Sequence, residues 1–380
     1  MQQKQHLSLL IKPASSLCNL RCKYCFYHDV AENRNIMSFG IMKEQTMQNI
    51  INKAFDYATE SISFMFQGGE PTLAGLEYFR NFIDYVNHVK SKNAKRINIS
   101  YSIQTNGINI DEDFAKFLHE NNFLVGLSLD GTKEIHDYLR GEDSHKKVVR
   151  TAAVLTKNKV EFNILCVVSA NLAKHIEKSY KFFKKQGFEY LQFIPCLDPF
   201  DVEPFTDKHS LTPQLYEYYL KILFNLWYND FISGEYISIR YFDNLVRVYS
   251  GVPSEQCGMN GHCDGQIVIE SDGSTYPCDF YCLENWKTGD INIMSCDEIW
   301  QSETMKKFIA ASYYNSGKCD KCDCFYLCKG GCRRNRDLSK DGHALDNIYC
   351  ESLYNFYKYA EPLLKDVVRR LSIKYRKDNN

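Results

Sequence analysis

Leu7-Ser8-Leu9-Leu10-Ile11-Lys12-Pro13-Ala14-Ser15-Ser16-Leu17-Cys18-Asn19-Leu20-Arg21-Cys22-Lys23-Tyr24-Cys25 is the stretch on which the reading of this chain turns. The apolar run Leu7–Ile11 predicts a short buried strand, and the three cysteines that follow it are spaced C-x3-C-x2-C. Thiols this close in the chain converge on one face without the entropy of closing a long loop. A 4Fe-4S cluster takes four cysteines, so a three-cysteine loop leaves one iron open to a substrate or cofactor. A structural zinc site that borrows a fourth ligand, such as His28, is the alternative on spacing alone.

Outward from this loop, apolar runs alternate with helical patterns as far as about residue 200. The strands are expected at Leu7–Ile11, Ser63–Phe66, Ile97–Ile103, Leu124–Leu129, Val160–Val168 and Tyr190–Ile194. Helices are expected near Lys43–Thr59, Glu77–Lys90, Asp111–Asn121, Ser144–Lys157 and Ala173–Gln186, each long enough for a crossover between parallel strands. Ligand sites in such folds gather at the carboxyl ends of the strands. The distinctive motifs fall there: the cysteines after the first strand, Gly68-Gly69-Glu70-Pro71 after the second, Gln104-Thr105-Asn106-Gly107 after the third and Asp130-Gly131 after the fourth.

Residues 212–231 predict a bridging helix, and Ile237–Tyr241 a further strand. Ile267–Glu270, Ser271-Asp272-Gly273 and Thr275–Pro277 read as a hairpin with an Asp-Gly turn. Cysteine-dense, loop-rich sequence follows, and Leu353–Tyr375 closes the chain as a helix with basic residues at its end. The expected class is therefore α/β: a partial (β/α)6 barrel with its bridging helix over residues 1–235, then a small cysteine-rich cluster-binding domain with a C-terminal helix over 236–380.

Composition narrows the function. Forty-six basic and forty-seven acidic residues leave a net charge of −1, which provides no field for recruiting nucleic acid or an anionic membrane. No apolar run approaches the ~20 residues of a membrane helix, and Leu7–Ile11 is too short for a signal peptide, so a cytoplasmic protein is expected. Sixteen cysteines in a reducing compartment point to metal or cluster ligation in place of disulfides. Three lie at positions 18 to 25, eleven between 257 and 350, and only Cys166 and Cys196 between those groups.

The loop Cys18, Cys22, Cys25, with the aromatic Tyr24 before its third cysteine, resembles the signature of the radical S-adenosylmethionine enzymes. That resemblance implies a 4Fe-4S cluster whose open iron binds S-adenosylmethionine and splits it reductively to a 5′-deoxyadenosyl radical. Gly68, Gly69 and Glu70 match the family's glycine-rich element, where backbone meets the methionine amino end; a plain strand-end turn is the alternative. The wider likeness is to the anaerobic sulfatase-maturating enzymes. It runs through Ser8–Ser16, Phe66–Thr72, Leu127–Gly131, Gln192-Phe193 and Lys329-Gly330-Gly331-Cys332-Arg333-Arg334. It implies that Tyr24, Gly69, Ser128, Arg140 and Leu197 contact S-adenosylmethionine, Arg140 through a carboxylate fork, although a solvated helix-end arginine reads equally well.

Cys263-x9-Gly273-x4-Cys278, then Cys319-x2-Cys322-x5-Cys328-x3-Cys332 and later Cys350, resembles the SPASM domain of peptide-modifying radical enzymes, and Cys257 supplies an eighth thiol. The family's pairing gives Cys257, Cys263, Cys278 and Cys332 to one auxiliary 4Fe-4S cluster, and Cys319, Cys322, Cys328 and Cys350 to another. A structural zinc module is the alternative. Cys166, Cys196, Cys282, Cys296 and Cys324 are left as buried thiols, with Cys324 a competitor of Cys328.

Asp279 directly follows a cluster cysteine, which places a carboxylate beside an electron acceptor. Oxidising a Cys or Ser side chain to an aldehyde removes a hydrogen atom, a proton and an electron, so a base there is useful. A turn or cap aspartate is the plain reading, and the match to the maturases' catalytic aspartate favours the base. The resemblance thus implies conversion of a Cys or Ser in a sulfatase polypeptide to Cα-formylglycine by a monomeric enzyme. It would carry S-adenosylmethionine and three 4Fe-4S clusters, and would be reduced by a flavodoxin- or ferredoxin-like donor.

Two other readings remain. Another SPASM peptide maturase would form thioether or carbon–carbon crosslinks, but only seventeen residues precede Cys18, so a precursor-binding domain of winged-helix type ahead of the barrel is not expected. A non-catalytic iron–sulfur or zinc protein would explain the cysteines but neither Gly68–Pro71 nor Asp279.

Overall fold

A computed structural model of the chain describes residues 5–200, 202–313, 317–336 and 346–378. The elements run β1 (His6–Ile11), α1 (Phe26–Glu32), α2 (Glu44–Tyr57), β2 (Ser61–Phe66), α3 (Leu76–Lys92), β3 (Asn98–Thr105), α4 (Glu112–Glu120), β4 (Phe123–Ser128), α5 (Lys133–Arg140) and α6 (Ser144–Lys157). They continue β5 (Phe162–Val168), α7 (Ala170–Lys174), α8 (Ile176–Lys185), β6 (Tyr190–Pro195), α9 (Pro213–Ser233), β7 (Ser238–Ile239) and α10 (Arg240–Tyr249). The last are β8 (Ile267–Ile269), β9 (Ser274–Tyr276), β10 (Gly289–Asp290), α11 (Cys296–Gln301), α12 (Glu303–Ser312), α13 (Phe325–Cys328) and α14 (Cys350–Asp378). The expected α/β class, with parallel strands and a cysteine-rich C-terminal region, is what the structure has.

By internal contacts the chain forms two compact units: Met1–Ser128 with Asp137–Phe162 and Asp264–Ile309, and Leu129–His136 with Asn163–Cys263 and Ala310–Asn380. In the first unit the strand order is β10-β9-β8-β1-β2-β3-β4. β1 pairs in parallel with β2, Leu9 opposite Phe64, and on its other edge with β8, Leu9 opposite Ile267. β8 and β9 form the antiparallel hairpin expected from the Asp-Gly turn. The alternation of β2 sends Ile62, Phe64 and Phe66 into the core. Phe64 and Phe66 meet Phe82 of α3 edge-on, each at 5.0 Å between ring centres. Helix α4 starts where the Asp111 side chain accepts the Phe114 N–H, satisfying a donor the first turn would otherwise leave open.

In the second unit β5, β6 and β7 are parallel, with Ile164 opposite Leu191 and Leu191 opposite Ile239. The bridging helix is α9; its Trp227 Nε1 donates to the Ile237 carbonyl at 3.0 Å, and Phe224 packs on Phe242 of α10 and Phe356 of α14.

Two expectations are corrected here. The single helix over Ala173–Gln186 is two, because the Ser169 hydroxyl caps α7 early and His175, at φ −121° and ψ 24°, breaks the chain before α8. The strand over Ile237–Tyr241 is only Ser238–Ile239, and α10 follows at once. Burial of Phe242 and Leu245, spaced for one helical face, outweighs the alternating pattern that suggested a strand. Among the described residues no helix is long and apolar enough to cross a membrane.

Candidate active site

Cys18, Cys22 and Cys25 lie between β1 and α1; Cys18 is exposed and the other two are half-buried. The loop is strapped to the end of β2: the Gly69 N–H donates to the Ser15 carbonyl at 2.9 Å and the Glu70 N–H to that of Leu17 at 2.7 Å. Gly69 must be glycine, since a Cβ there would sit 2.1 Å from the Leu17 carbonyl oxygen. Glu70 is 1% exposed and its carboxylate is engaged within the protein. Oε1 accepts from Thr72 N–H, Thr72 Oγ1 and Thr105 Oγ1, and Oε2 accepts from the Asn106 N–H at 2.7 Å. Burial pushes its pKa up, and these donors pull it back.

Of the candidate cofactor contacts, Tyr24 and Arg140 come together, the guanidinium 5.6 Å from the ring centre. The Lys23 N–H donates to the Leu139 carbonyl at 2.9 Å, which ties the cysteine loop to the last turn of α5. Ser128 is buried at the end of β4. Leu197 belongs to the second unit, where it lines a small cavity with Cys196, Asp198, Arg334, Asn335, Ile348 and Tyr349.

Asp279 opens a short 3-10 turn after the β8–β9 hairpin and is 8% exposed. Its Oδ2 accepts from Tyr27 Oη at 2.5 Å and from Gln67 Nε2 at 3.0 Å. Its Oδ1 lies 3.0 Å from Lys12 Nζ, an ion-pair contact without hydrogen-bond alignment, so this oxygen keeps a lone pair to spare. Lys12 is 2% exposed and also lies 3.2 Å from Cys282 Sγ and 3.5 Å from Glu270 Oε1, which Arg34 Nη1 approaches to 2.6 Å. Burial alone would raise Glu270, yet the Lys12 and Arg34 charges hold it below the usual carboxylate range. Burial opposes a charged Lys12, but the surrounding Asp279, Cys282 and Glu270 drive its pKa upward, so it stays an ammonium. Burial and then the Asp279 charge push the Tyr27 pKa up, keeping its hydroxyl a donor.

Removing one member of such a network strands buried charge. Lys12→Met is expected to destabilise the protein by about 3–5 kcal/mol, read as a lower denaturant midpoint for unfolding; an unchanged midpoint would show that Lys12 is not ionised there.

The remaining candidate ligands fall in three places. Cys278 is in the first unit, next to Asp279. In the second unit, burial pushes the Cys332 thiol up to about 12, the Arg334 amide N–H lowers it, and neighbouring Cys257 and Cys263 raise it further. A Cβ on Gly258 would lie 3.4 Å from that of Cys332, a measure of how closely the turn carrying Cys257 approaches. Cys319, Cys322, Cys328 and Cys350 line one cavity of about 760 Å³ together with Cys324. Among the described residues no three His, Cys, Asp or Glu side chains meet tightly enough to hold a single metal ion; these thiols surround a space. Four thiols around it are the donor set a 4Fe-4S cluster takes, so the residues fit the group the sequence implied. Cys166, Cys196, Cys282, Cys296 and Cys324 are buried, whereas all eleven candidate ligands are exposed or half-buried.

Sequence reading missed Lys12, Tyr27, Arg34, Gln67 and Glu270. A signal existed for two of them: Lys12 directly follows the apolar Leu7–Ile11 and Glu270 directly follows Ile267–Ile269, each a charge placed at the end of a buried strand.

Residues 13–183 match the model of the Radical SAM superfamily, and residues 261–323 that of an iron-sulfur cluster-binding domain. The chain is 49% identical to the cysteine-type anaerobic sulfatase-maturating enzyme of Clostridium novyi (strain NT) over 370 residues, covering 96% of this chain and 98% of that protein. Identity to the enzyme of the same description from Clostridium perfringens (strain 13 / Type A) is also 49%, over 96% of this chain and 99% of the relative. A solved structure of native anSMEcpe with bound AdoMet and Cp18Cys peptide superposes with a TM-score of 0.92 at 48% identity, covering 96% of this chain and 99% of that one. With about half its residues shared over nearly the whole length of those relatives, the chain belongs to the anaerobic sulfatase-maturating enzymes of the radical S-adenosylmethionine superfamily.

Proposed function

We propose that this enzyme oxidises a side chain in a sulfatase peptide motif to Cα-formylglycine, with cysteine the favoured target. The observation that carries the reading is Asp279, a buried carboxylate whose Oδ2 is held by two donors while Oδ1 keeps a lone pair. Cysteine preference is supported by the cysteine-type relatives and by the cysteine peptide held in the solved structure.

Cys18, Cys22 and Cys25 would hold the first 4Fe-4S cluster, with Tyr24, Gly68, Gly69, Glu70, Ser128, Arg140 and Leu197 around S-adenosylmethionine. Cys257, Cys263, Cys278 and Cys332 would hold one auxiliary cluster, and Cys319, Cys322, Cys328 and Cys350 the other. Residues 1–235 make the radical-generating domain and 236–380 the auxiliary one. The partition of thiols by exposure supports the choice of eleven ligands from sixteen cysteines. When bound, these groups supply a 5′-deoxyadenosyl radical that takes a Cβ hydrogen atom and a sink for the second electron.

The protein's own part is proton handling. Tyr27 and Gln67 fix the Asp279 carboxylate through Oδ2, and this carboxylate would take the substrate thiol proton. The Lys12 ammonium, 3.0 Å from Oδ1, sets a positive charge beside this carboxylate. Loss of a hydrogen atom, a proton and an electron converts the cysteine CH₂–SH to a thioaldehyde, and water then replaces sulfur, releasing hydrogen sulfide. The enzyme acts as a cytoplasmic monomer, with a flavodoxin- or ferredoxin-like protein as electron donor.

The test is to incubate the oxygen-protected, reduced protein with S-adenosylmethionine and matched Cys and Ser sulfatase peptides. Mass spectrometry should show an aldehyde, formed faster from Cys, together with 5′-deoxyadenosine. Crosslinked product alone would replace this reading by thioether or carbon–carbon chemistry. About twelve irons per chain are expected from three 4Fe-4S clusters.

A further inference from the structure

The turn Gln104-Thr105-Asn106-Gly107 at the end of β3 has no task in the chemistry above, yet it is tightly built. Thr105 Oγ1 donates to Glu70 Oε1 and accepts the Gly107 N–H at 2.9 Å, and the Gly107 carbonyl accepts Thr151 Oγ1 at 2.7 Å. Between these anchors sits Asn106, 7% exposed. Its Oδ1 accepts the Ile108 N–H at 3.0 Å, which fixes the amide orientation and turns the NH₂ toward the cysteine loop. There Nδ2 donates to Asn19 Oδ1 at 2.7 Å and to Cys18 Sγ at 3.8 Å.

The donors continue in one direction. Asn19 Nδ2 donates to Asn109 Oδ1, Asn109 Nδ2 to Thr72 Oγ1, and Thr72 Oγ1 to the buried carboxylate of Glu70. A chain that starts on a backbone N–H and ends on a carboxylate admits one polarity, so each amide reinforces the next. Its branch point is the NH₂ that faces Cys18.

We propose that Asn106 is a positioning residue for the radical-generating cluster: its amide orients the Cys18 sulfur and, by donating to it, favours the reduced state. This rests on the reading that Cys18, Cys22 and Cys25 hold that cluster. The physical ground is general: one-electron reduction adds negative charge to the cluster sulfurs, and a hydrogen-bond donor stabilises the more negative state, raising the potential. The Leu20 N–H, 3.4 Å from Cys18 Sγ, is a second donor to that sulfur but comes from the loop itself. Asn106, by contrast, ties the sulfur to the Glu70 turn.

The experiment is an EPR redox titration of the anaerobic holoenzyme with dithionite, which gives one electron to each cluster. The signal of the Cys18 cluster is identified as the one that added S-adenosylmethionine alters. In Asn106→Ala the midpoint of that signal should fall by a tenfold change in reduced fraction, 59 mV for a one-electron couple, while the other signals and the iron content stay as in the wild type. Asn106→Asp keeps the acceptor for Ile108 but turns a negative oxygen toward the sulfur, so its midpoint should fall further. Unchanged midpoints in both variants, an equal shift of every signal, or loss of the cluster from both would overturn the proposal. A wild-type spectrum indifferent to S-adenosylmethionine would sink the underlying cluster assignment, and the proposal with it.

Discussion

Asp279→Asn is expected to cut formylglycine formation about a thousandfold while leaving cluster iron in place and 5′-deoxyadenosine release largely intact. The amide matches the carboxylate in shape, so Tyr27 Oη can still donate to the side-chain oxygen, and the turn after Cys278 is not disturbed. What disappears is the lone pair at Oδ1, the atom without a hydrogen-bond donor in the native network. An NH₂ in its place also faces the Lys12 ammonium, 3.0 Å away in the native protein, and cannot accept a proton. Measuring nucleoside and peptide aldehyde in the same reaction separates radical production from its use. Normal aldehyde yield in the variant would remove Asp279 from the chemistry.

A second large effect is expected at Gly69→Ala. The added Cβ would fall 2.1 Å from the Leu17 carbonyl oxygen and 2.7 Å from the carbonyl carbons of Ser16 and Leu17. These are backbone atoms held by the Gly69-to-Ser15 and Glu70-to-Leu17 hydrogen bonds, so neither segment can swing aside without breaking them. Overpacking against rigid neighbours costs about 3 kcal/mol or more, and the strain falls on the residue before Cys18. The variant should lose about four irons per chain and the S-adenosylmethionine-sensitive spectrum, while retaining the rest. Gly317→Ala, with nothing within 4 Å of its added Cβ, serves as the comparison. Full iron in the Gly69 variant would mean that the loop yields more easily than its hydrogen bonds suggest.

The fold was legible in sequence wherever periodicity and punctuation agreed. Ser61–Phe66 alternates buried and half-buried residues, and Ser144–Lys157 begins and ends where its pattern does. Reading failed where a short polar residue redirected the backbone. Ser169 caps a helix that hydrophobic spacing alone begins later, and Ile237–Tyr241 alternates like a strand although Phe242 and Leu245 pull Arg240 onward into a helix. In the candidate site, the cysteines and Gly68–Pro71 stand out in the sequence by their spacing alone. The cage around Asp279 does not. Lys12, Tyr27 and Gln67 reach Asp279 from 267, 252 and 212 residues away in the chain, so only the folded sheet brings them together.

The pairing of β8 against the free edge of β1 gives the hairpin that leads to Asp279 and the strand that leads to Cys18 a common ladder of backbone bonds. The turn that carries Asp279 and the loop that carries Cys18 therefore keep one register, set by Leu9 opposite Ile267 and Ile11 opposite Ile269, and a shift of either strand is transmitted to the other.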